Sequence, residues 1–489
     1  MVLLNPLTDR MENCCDLVIV NASVVIPTIG IVSDTDIMIE DGKIKALVRS
    51  ASNVSASRKI DATGKYVLPG AIDPHVHYGV YRPVNEAART ESRSAAVGGV
   101  TTMIRMLRLF DRYCDNNIGK QLQASRGNHY VDYSIHASIL RPEQVRDIPY
   151  LREIGINSLK IYMNLGSDLN RIHMDLAPGA YELKDGVVQM TDELMSSIVN
   201  NGSRIHSTIL VHAENPVICS EQILKAKQNG VDGLEAWSYC RPPYSEAQSI
   251  AKVSDLARRS SGGGGGSYLY FVHIGSNAAL DAILAERQKG RSNYYVETCP
   301  HYLTHTNEFG SLIAKVTPPI RSKSDVQSMW SALRNGIVDT VGTDHVANRL
   351  EMKVGKGDIW SALSGFPGIA TMLPVLLSKG VNENRISIET VARVTSYNTA
   401  RIFGMYPKKG TIQPGSDADL TIVDIDLEKI VTPDLLQSYS DYTIYDGWRL
   451  RGWPIMTIVR GNPVMEDGEV ANAALGYGQF IPRPVAIRD

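Results

Sequence analysis

Short apolar segments that end in polar side chains recur between residues 71 and 400 and alternate with longer helical stretches. The first is "AIDPHVHYG", and those after it are "GVTTMIRM", "YSIHASIL", "NSLKIYMN", "TILVHAEN", "YLYFVHIGS", "YYVETCPHYL" and "IVDTVGTDHVA". About eight strand–loop–helix units are what a closed parallel barrel requires. We therefore predict an α/β fold with a (β/α)8 TIM barrel over residues 71–404.

The two ends of the chain have a different texture. Residues 16–70 carry β-branched runs broken by Asp-Gly and Thr-Gly turn signals, and residues 405–465 return to such runs. Strands outside the barrel at both ends are expected to pair with each other. We predict one small β-sandwich domain from residues 1–70 and 405–465, followed by a tail, 466–489, that wraps another surface or subunit.

Composition narrows the class of protein. An apolar fraction of 43% and a charged fraction of 21% are those of a soluble globular protein. The net charge of −2 offers no footprint for nucleic acid. Six scattered cysteines without a C-x-x-C pair argue against a disulfide scaffold or a thiolate zinc site and fit a reducing compartment.

Targeting signals are not expected. The N-terminal stretch lacks the charged region and sustained apolar run of a signal peptide, and no apolar run reaches the ~18 residues of a membrane span. We therefore expect a cytoplasmic protein. Five consecutive glycines after Ser261 predict a loop entering a strand; a phosphate-binding loop would be followed by a helix.

Potential metal ligands stand at the predicted ends of five strands. They are His75, His77, Lys160, His212, His273 and Asp344. Active sites of such barrels lie at the C-terminal strand ends, and alternate residues of a strand share a face. Each residue alone could be a satisfied core group or, for Asp344, a helix cap. Their joint placement favours a metal site.

Lys160 lies between the apolar residues Leu159 and Ile161. A surface lysine that extends its head group into water is the alternative. Burial favours the neutral amine of a lysine. A neutral amine can add CO₂ to become a carbamate, whose two oxygens can bridge two metal ions.

Longer segments carry a family resemblance. They are "VLPGAIDPHVHYG", "ESRSAAVGGVTTMI", "SLKIYM", "VHAEN", "WSYCRPPYSEAQSI", "FVHIGSNAAL", "ETCPHYLTHT", "KVTPPIR", "GTDHVA" and "YNTARIFGMYPKKGTIQPGSDADLTIVD". In this order, over residues from about 16 to 465, the chain resembles the amidohydrolase superfamily and its dihydropyrimidinase/hydantoinase/allantoinase group.

The resemblance implies two divalent ions per chain. One would be held by His75, His77 and Asp344, the other by His212 and His273, with Lys160 as a bridging N6-carboxylysine. Zinc suits imidazole and carboxylate ligands, while Mn, Co, Ni and Fe remain open. A homotetramer is also implied.

The implied reaction opens a cyclic amide. A metal-bridging hydroxide would attack the ring carbonyl of a hydantoin or dihydropyrimidine, and Asp344 would carry the proton to the leaving nitrogen. By resemblance, Thr317 and Ser364 would bind the amide edge of the ring.

Three departures from the family pattern leave the identity of the substrate ring undecided. Gly79 stands where dihydroorotases carry an arginine, Leu165 where hydantoinases carry a tyrosine, and Ser364-Gly365 where they carry Asn-Gly. Tyr162 could supply an oxyanion donor if its strand continues. The alternatives are an allantoinase, a hydrolase of another cyclic imide or amide, and a non-catalytic scaffold, which the complete ligand set disfavours.

Four further residues carry narrower expectations. His301 is either near the site or structural, and His345 is expected to point to the opposite side of its strand from the ligands. Arg241 is expected to pair with an acidic residue, Glu246 or Glu214. Asn398 is expected to cap the helix that closes the barrel.

Overall fold

The computed structural model describes residues 14–260, 268–290 and 293–483. The N-terminal segment 1–13, where we expected no signal peptide, lies outside these residues. The run of five glycines predicted as a loop also lies outside them.

Five strands precede the barrel: β1 (Cys14–Ile26), β2 (Gly30–Glu40), β3 (Lys43–Val48), β4 (Ser55–Asp61) and β5 (Tyr66–Pro69). The alternating apolar residues of these strands bury one face, around Ile19, Ile37 and Val67. This segment thus forms a mixed sheet, in which β1 pairs antiparallel with β2 and parallel with β4 and β5.

The barrel region contains β6 (Ala71–His77), β7 (Val100–Leu107), β8 (Asp132–Ser138), β9 (Ser158–Tyr162), β10 (Arg171–His173), β11 (Asp185–Val187), β12 (Thr208–His212), β13 (Tyr268–Phe271), β14 (Asn293–Thr298), β15 (Thr340–Val341) and β16 (His345–Val346). All but the hairpin β10–β11 join one parallel sheet in the order β15-β14-β13-β12-β9-β8-β7-β6-β16. β15 pairs with β14 and β16 with β6, so a divided last strand closes the barrel.

The helices are α1 (Val84–Val97), α2 (Asn117–Ser125), α3 (Ile148–Glu153), α4 (Asp192–Arg204), α5 (Pro216–Gln228), α6 (Leu234–Cys240), α7 (Pro243–Ser260), α8 (Asn277–Gln288), α9 (Lys323–Arg334), α10 (Leu350–Val354), α11 (Met372–Val375), α12 (Ile388–Ala392) and α13 (Asn398–Ile402). Their starts follow local chemistry. The Asn215 side chain accepts from the first turn of α5, and Ser322 with Asp325 forms a capping box on α9.

The prediction that Asn398 caps the helix closing the barrel is wrong. A π-helical turn, Arg393–Tyr397, joins α12 to α13, so Asn398 lies inside a continuous helix. Ser387 caps that helix instead by accepting from Thr390 N. The Asn398 amide donates to the Asp339 carbonyl at 2.7 Å and ties the helix to the barrel.

Four strands follow the barrel: β17 (Leu420–Ile430), β18 (Arg449–Val459), β19 (Asn462–Glu466) and β20 (Glu469–Val470). β17 pairs antiparallel with β5, so strands from both ends of the chain form one sheet, β20-β19-β18-β17-β5-β1-β2-β3. The prediction of a TIM barrel with a β-sandwich domain built from both ends is confirmed.

The described part of the tail packs on this chain's own barrel. Ile481 N donates to the Tyr133 carbonyl at 2.7 Å, and Arg483 N donates to the Gly155 carbonyl at 2.7 Å. The buried Arg483 side chain donates to Ser134 Oγ at 2.8 Å and to Ser158 Oγ at 2.7 Å. Residues up to 483 therefore cover the end of the barrel where β8 and β9 begin.

Two sequence expectations can be compared with the described residues. Among the described residues, the thiols of Cys114, Cys219, Cys240 and Cys299 form no disulfide bond. Among the helices of the described ranges, none is long and apolar enough to cross a membrane.

Candidate active site

Two histidines and an aspartate meet above the barrel. His75 and His77 alternate in β6, so both side chains reach the same face, with ring centroids 5.2 Å apart. His75 Nε2 lies 3.2 Å and His77 Nε2 lies 3.1 Å from Asp344 Oδ1. All three residues are buried, and their ligand atoms lie within 4.8 Å of one another.

A second pair of histidines stands beside this group. His212 ends β12, and His273 lies two residues beyond the end of β13. His273 Nε2 lies 3.0 Å from His212 Nδ1, and the His273 ring stacks 5.4 Å from that of His75. The four imidazoles predicted as ligands therefore converge on one space.

Lys160 points into the same space from β9. Its side chain is fully buried, and Nζ makes no hydrogen bond with any residue that the structure describes. Burial lowers the pKa of Lys160 to about 7, against the opposing pull of Glu297 and Asp344. A reactive, uncharged amine is thus accessible near neutral pH.

The imidazoles are held neutral. Burial lowers the pKa of His75 to about 3 and takes that of His77 and His273 well below the usual range. Neutral imidazoles, a carboxylate and an amine without a partner are the donor set that a divalent metal ion requires. The residues therefore fit the ions that the sequence implied.

Glu297 was not predicted as a site residue. It is the buried next-to-last residue of β14. Its Oε1 lies 2.7 Å from His75 Nδ1 and accepts from His273 N at 3.0 Å. Tyr270 donates to Oε2 at 2.8 Å. Such a carboxylate fixes the ring of a metal-binding histidine, and its strand-end position was the available signal.

Glu214 contacts His212 as Glu297 contacts His75. Its Oε2 lies 2.6 Å from His212 Nε2, and Arg241 donates to both of its oxygens at 2.9 and 2.8 Å. Burial opposes ionisation, but Arg241 and His212 hold the pKa of Glu214 down at about 2. The pairing of Arg241 with Glu214 is confirmed, while Glu246 pairs with Arg321.

Two site residues adopt a strained backbone. Asp344 has φ of 50° and His273 has φ of 44°. Left-handed conformations cost a non-glycine residue about 1–2 kcal/mol and cluster at functional sites. Asp344 lies between the two halves of the last strand, and this break is what turns its carboxylate toward His75 and His77.

A cavity of about 440 Å³ opens above these groups. Thr317 and Ser364 line it, and their hydroxyl oxygens lie 2.9 Å apart. Tyr162 and Leu165 also line it. The Tyr162 side chain therefore shares a face with Lys160, as the oxyanion hypothesis requires.

Two other histidines, His345 and His301, lie outside the group of predicted ligands. His345 Nε2 lies 2.9 Å from the buried carboxylate of Glu91, away from the ligands, as expected. His301 does not line the cavity; its ring packs 4.2 Å from that of Tyr302 and 5.0 Å from that of Phe366. Of the two roles considered for His301, the contacts favour the structural one.

A second acidic cluster is an ion-pair network. Asp132, Asp417 and Asp419 lie close enough to hold a cation. Lys409 already lies among them, 2.8 Å from Asp132 and 3.4 Å from Asp417, and Arg460 also pairs with Asp132. These protein cations balance the carboxylates, so we place no metal there.

A barrel that gathers four neutral imidazoles, an amine and a carboxylate at its strand ends defines a metal-dependent hydrolase. Residues 271–464 match the model of the amidohydrolase family. The chain belongs to this family and, within it, to the group of cyclic amidohydrolases.

Named relatives match over nearly the whole chain. An L-hydantoinase of Paenarthrobacter aurescens is 33% identical over 460 residues, 92% of this chain and 95% of that protein. A D-hydantoinase of Geobacillus stearothermophilus is 30% identical over 472 residues, 92% of this chain and 93% of that protein. The solved dihydropyrimidinase of Brevibacillus agri superposes with a TM-score of 0.85 at 28% identity, covering 96% and 99% of the two chains.

Proposed function

We propose that this chain hydrolyses a cyclic amide bond in a ring of the hydantoin or dihydropyrimidine type. The convergence of His75, His77 and Asp344 with the His212–His273 pair and Lys160 is the observation that carries the proposal. The hydantoinase and dihydropyrimidinase relatives support the substrate class.

Two divalent ions, of which zinc fits the donors best, would be held by this constellation. His75, His77 and Asp344 would hold one, and His212 with His273 the other. The neutral Lys160 amine would form a nitrogen–carbon bond with CO₂ and release a proton, giving an N6-carboxylysine that would help to hold both ions. When bound, such ions would lower the pKa of a water molecule and polarise the ring carbonyl.

Side chains of this protein would then transfer the proton and bind the ring. Asp344 accepts a proton from the attacking water and delivers it to the ring nitrogen as its bond to carbon breaks. Thr317 and Ser364 hydrogen-bond the amide edge of the ring. The Tyr162 hydroxyl donates to the carbonyl oxygen as negative charge develops there, in the role that Leu165 cannot fill.

The proposed enzyme is a cytoplasmic homotetramer, as the sequence and its resemblance imply. Light scattering of the purified protein tests the assembly. This measurement of molar mass tests the proposed tetramer independently of any activity assay.

Ring opening on a substrate panel tests the function. Zinc-loaded enzyme and a chelator-treated control would be given hydantoin, 5-substituted hydantoins, dihydrouracil, allantoin, dihydroorotate and succinimide. We expect metal-dependent turnover of a hydantoin or dihydrouracil. Turnover of allantoin alone would move the enzyme to the allantoinase branch, and no turnover of any ring would overturn the proposal.

A further inference from the structure

One arginine in the cavity wall has no acidic partner of its own. Arg108 directly follows β7 and lines the cavity together with His77 and Asp344. Its side chain is only 12% exposed. Nε is buried and makes no hydrogen bond with a residue in the described ranges. Burying a charge without a close partner costs free energy of folding, and a ligand that binds Arg108 would offset that cost.

The nearest carboxylate is already engaged. Asp175 pairs through Oδ1 with Arg105, and its Oδ2 accepts the backbone N–H of Arg108 at 2.7 Å. The Arg108 Nε stands 3.8 Å from that same Oδ2, beyond hydrogen-bond distance. Two guanidinium groups thus share one carboxylate, so these three side chains carry a net charge of about +1.

This charge acts on the reacting end of the cavity. Arg108 lines the cavity together with His77 and Asp344, two of the residues proposed to hold a metal ion. Thr317 and Ser364 follow the last two strands of the barrel, and Arg108 follows β7. β6, which carries His77, lies between β16 and β7, so the strand order separates Arg108 from the two residues proposed to hold the amide edge of the ring.

We propose that Arg108 binds a carboxylate on the ring's substituent, so that the preferred substrate is a cyclic amide with an acidic side chain. This inference rests on the proposed function. The planar fork of a guanidinium matches a carboxylate with two parallel hydrogen bonds. One uncompensated positive charge balances one carboxylate, whereas a phosphate would call for more.

A pair of near-isosteric rings tests the assignment. Hydantoin-5-acetic acid and its neutral amide, hydantoin-5-acetamide, would be compared in wild type, Arg108→Met and Arg171→Met. Arg171 is the control because it also lines the cavity but is 71% exposed and only 4.0 Å from Asp185. We expect wild type to favour the acid by at least about tenfold in kcat/KM. Arg108→Met should abolish the preference, and Arg171→Met should keep it.

Equal turnover of the acid and the amide by wild type, with no change in Arg108→Met, would overturn the inference while leaving ring hydrolysis intact. If neither ring is opened, the proposed function is in question and calorimetric binding decides the role of Arg108. Tighter binding of the acid that Arg108→Met removes would support it. Equal binding of both rings to both proteins would overturn it.

Discussion

Glu297 Oε1 lies 2.7 Å from His75 Nδ1, and both side chains are buried. The contact leaves His75 Nε2 directed at the cavity, where it faces Asp344. The same carboxylate receives the backbone N–H of His273. One side chain therefore orients groups from both halves of the proposed metal centre.

Glu297→Gln should weaken metal binding and leave the fold intact. Glutamine is uncharged and has one accepting oxygen, so it cannot accept hydrogen bonds from both His75 and Tyr270. Loss of such an orienting carboxylate lowers metal affinity or activity by about 10- to 100-fold. Metal content after dialysis against graded chelator checks this. Tyr270→Phe, which spares Oε1, is the control and should lose less; equal metal affinity in Glu297→Gln and wild type would contradict the role.

Lys160→Met should lose both metal and activity. Methionine keeps the apolar stem but cannot form a carbamate, and we expect activity to fall by more than about 100-fold. Metal analysis and the carbon-13 signal of protein grown with labelled bicarbonate are the measurements. Lys184→Met, at an exposed lysine, should match wild type. A Lys160→Met enzyme with full metal content and activity would refute the bridging carbamate.

Tyr162→Phe should lower kcat by about 10²–10³-fold at constant metal content, because an oxyanion donor acts mainly in the transition state. The hydroxyl is buried at the cavity, and within the described residues it has no hydrogen-bond partner of normal geometry. Steady-state kinetics on the ring that proves to be the substrate would measure the effect. Tyr239→Phe, 74% exposed, should behave as wild type; an unchanged kcat in Tyr162→Phe would exclude it as the donor.

Lys353→Met should raise KM more than it lowers kcat. The fully buried Lys353 amino group donates to the carbonyls of Leu363 at 2.6 Å and Gly365 at 2.7 Å, the two neighbours of Ser364. Releasing these carbonyls should loosen the ring-binding loop and cost about 1–3 kcal/mol of unfolding free energy. Lys356→Met, exposed nearby, is the matched control. An unchanged KM would show that the loop holds without the lysine.

Arg483→Met should destabilise the protein with little effect on kinetics. The substitution removes the hydrogen bonds to Ser134 and Ser158 below the strands that carry the site, and we expect a loss of about 1–3 kcal/mol. Thermal unfolding compared with Arg126→Met, an exposed arginine near the tail, measures it. Equal melting temperatures would show that the tail adds nothing to barrel stability.

Much of the architecture was readable from local pattern. Apolar runs ending in polar residues predicted the strands, and the spacing of His75 and His77 placed both on one face because alternation is a property of a single strand. The ends of parallel strands meet at one rim, so the other candidate ligands followed from position alone. Asn398 failed as a cap because a π-helical turn carries the helix past it.

The sequence by itself determined the barrel, the joined end strands and the candidate ligands, since periodicity and strand-end chemistry are encoded within short segments. Only the tertiary structure decided which groups serve those ligands. Glu297 reaches His75 across 222 residues, and Arg108 lies 3.8 Å from Asp175 while Arg105 pairs with the same carboxylate. Such contacts depend on how distant elements close together and on the rotamers that packing allows, and no local pattern records them.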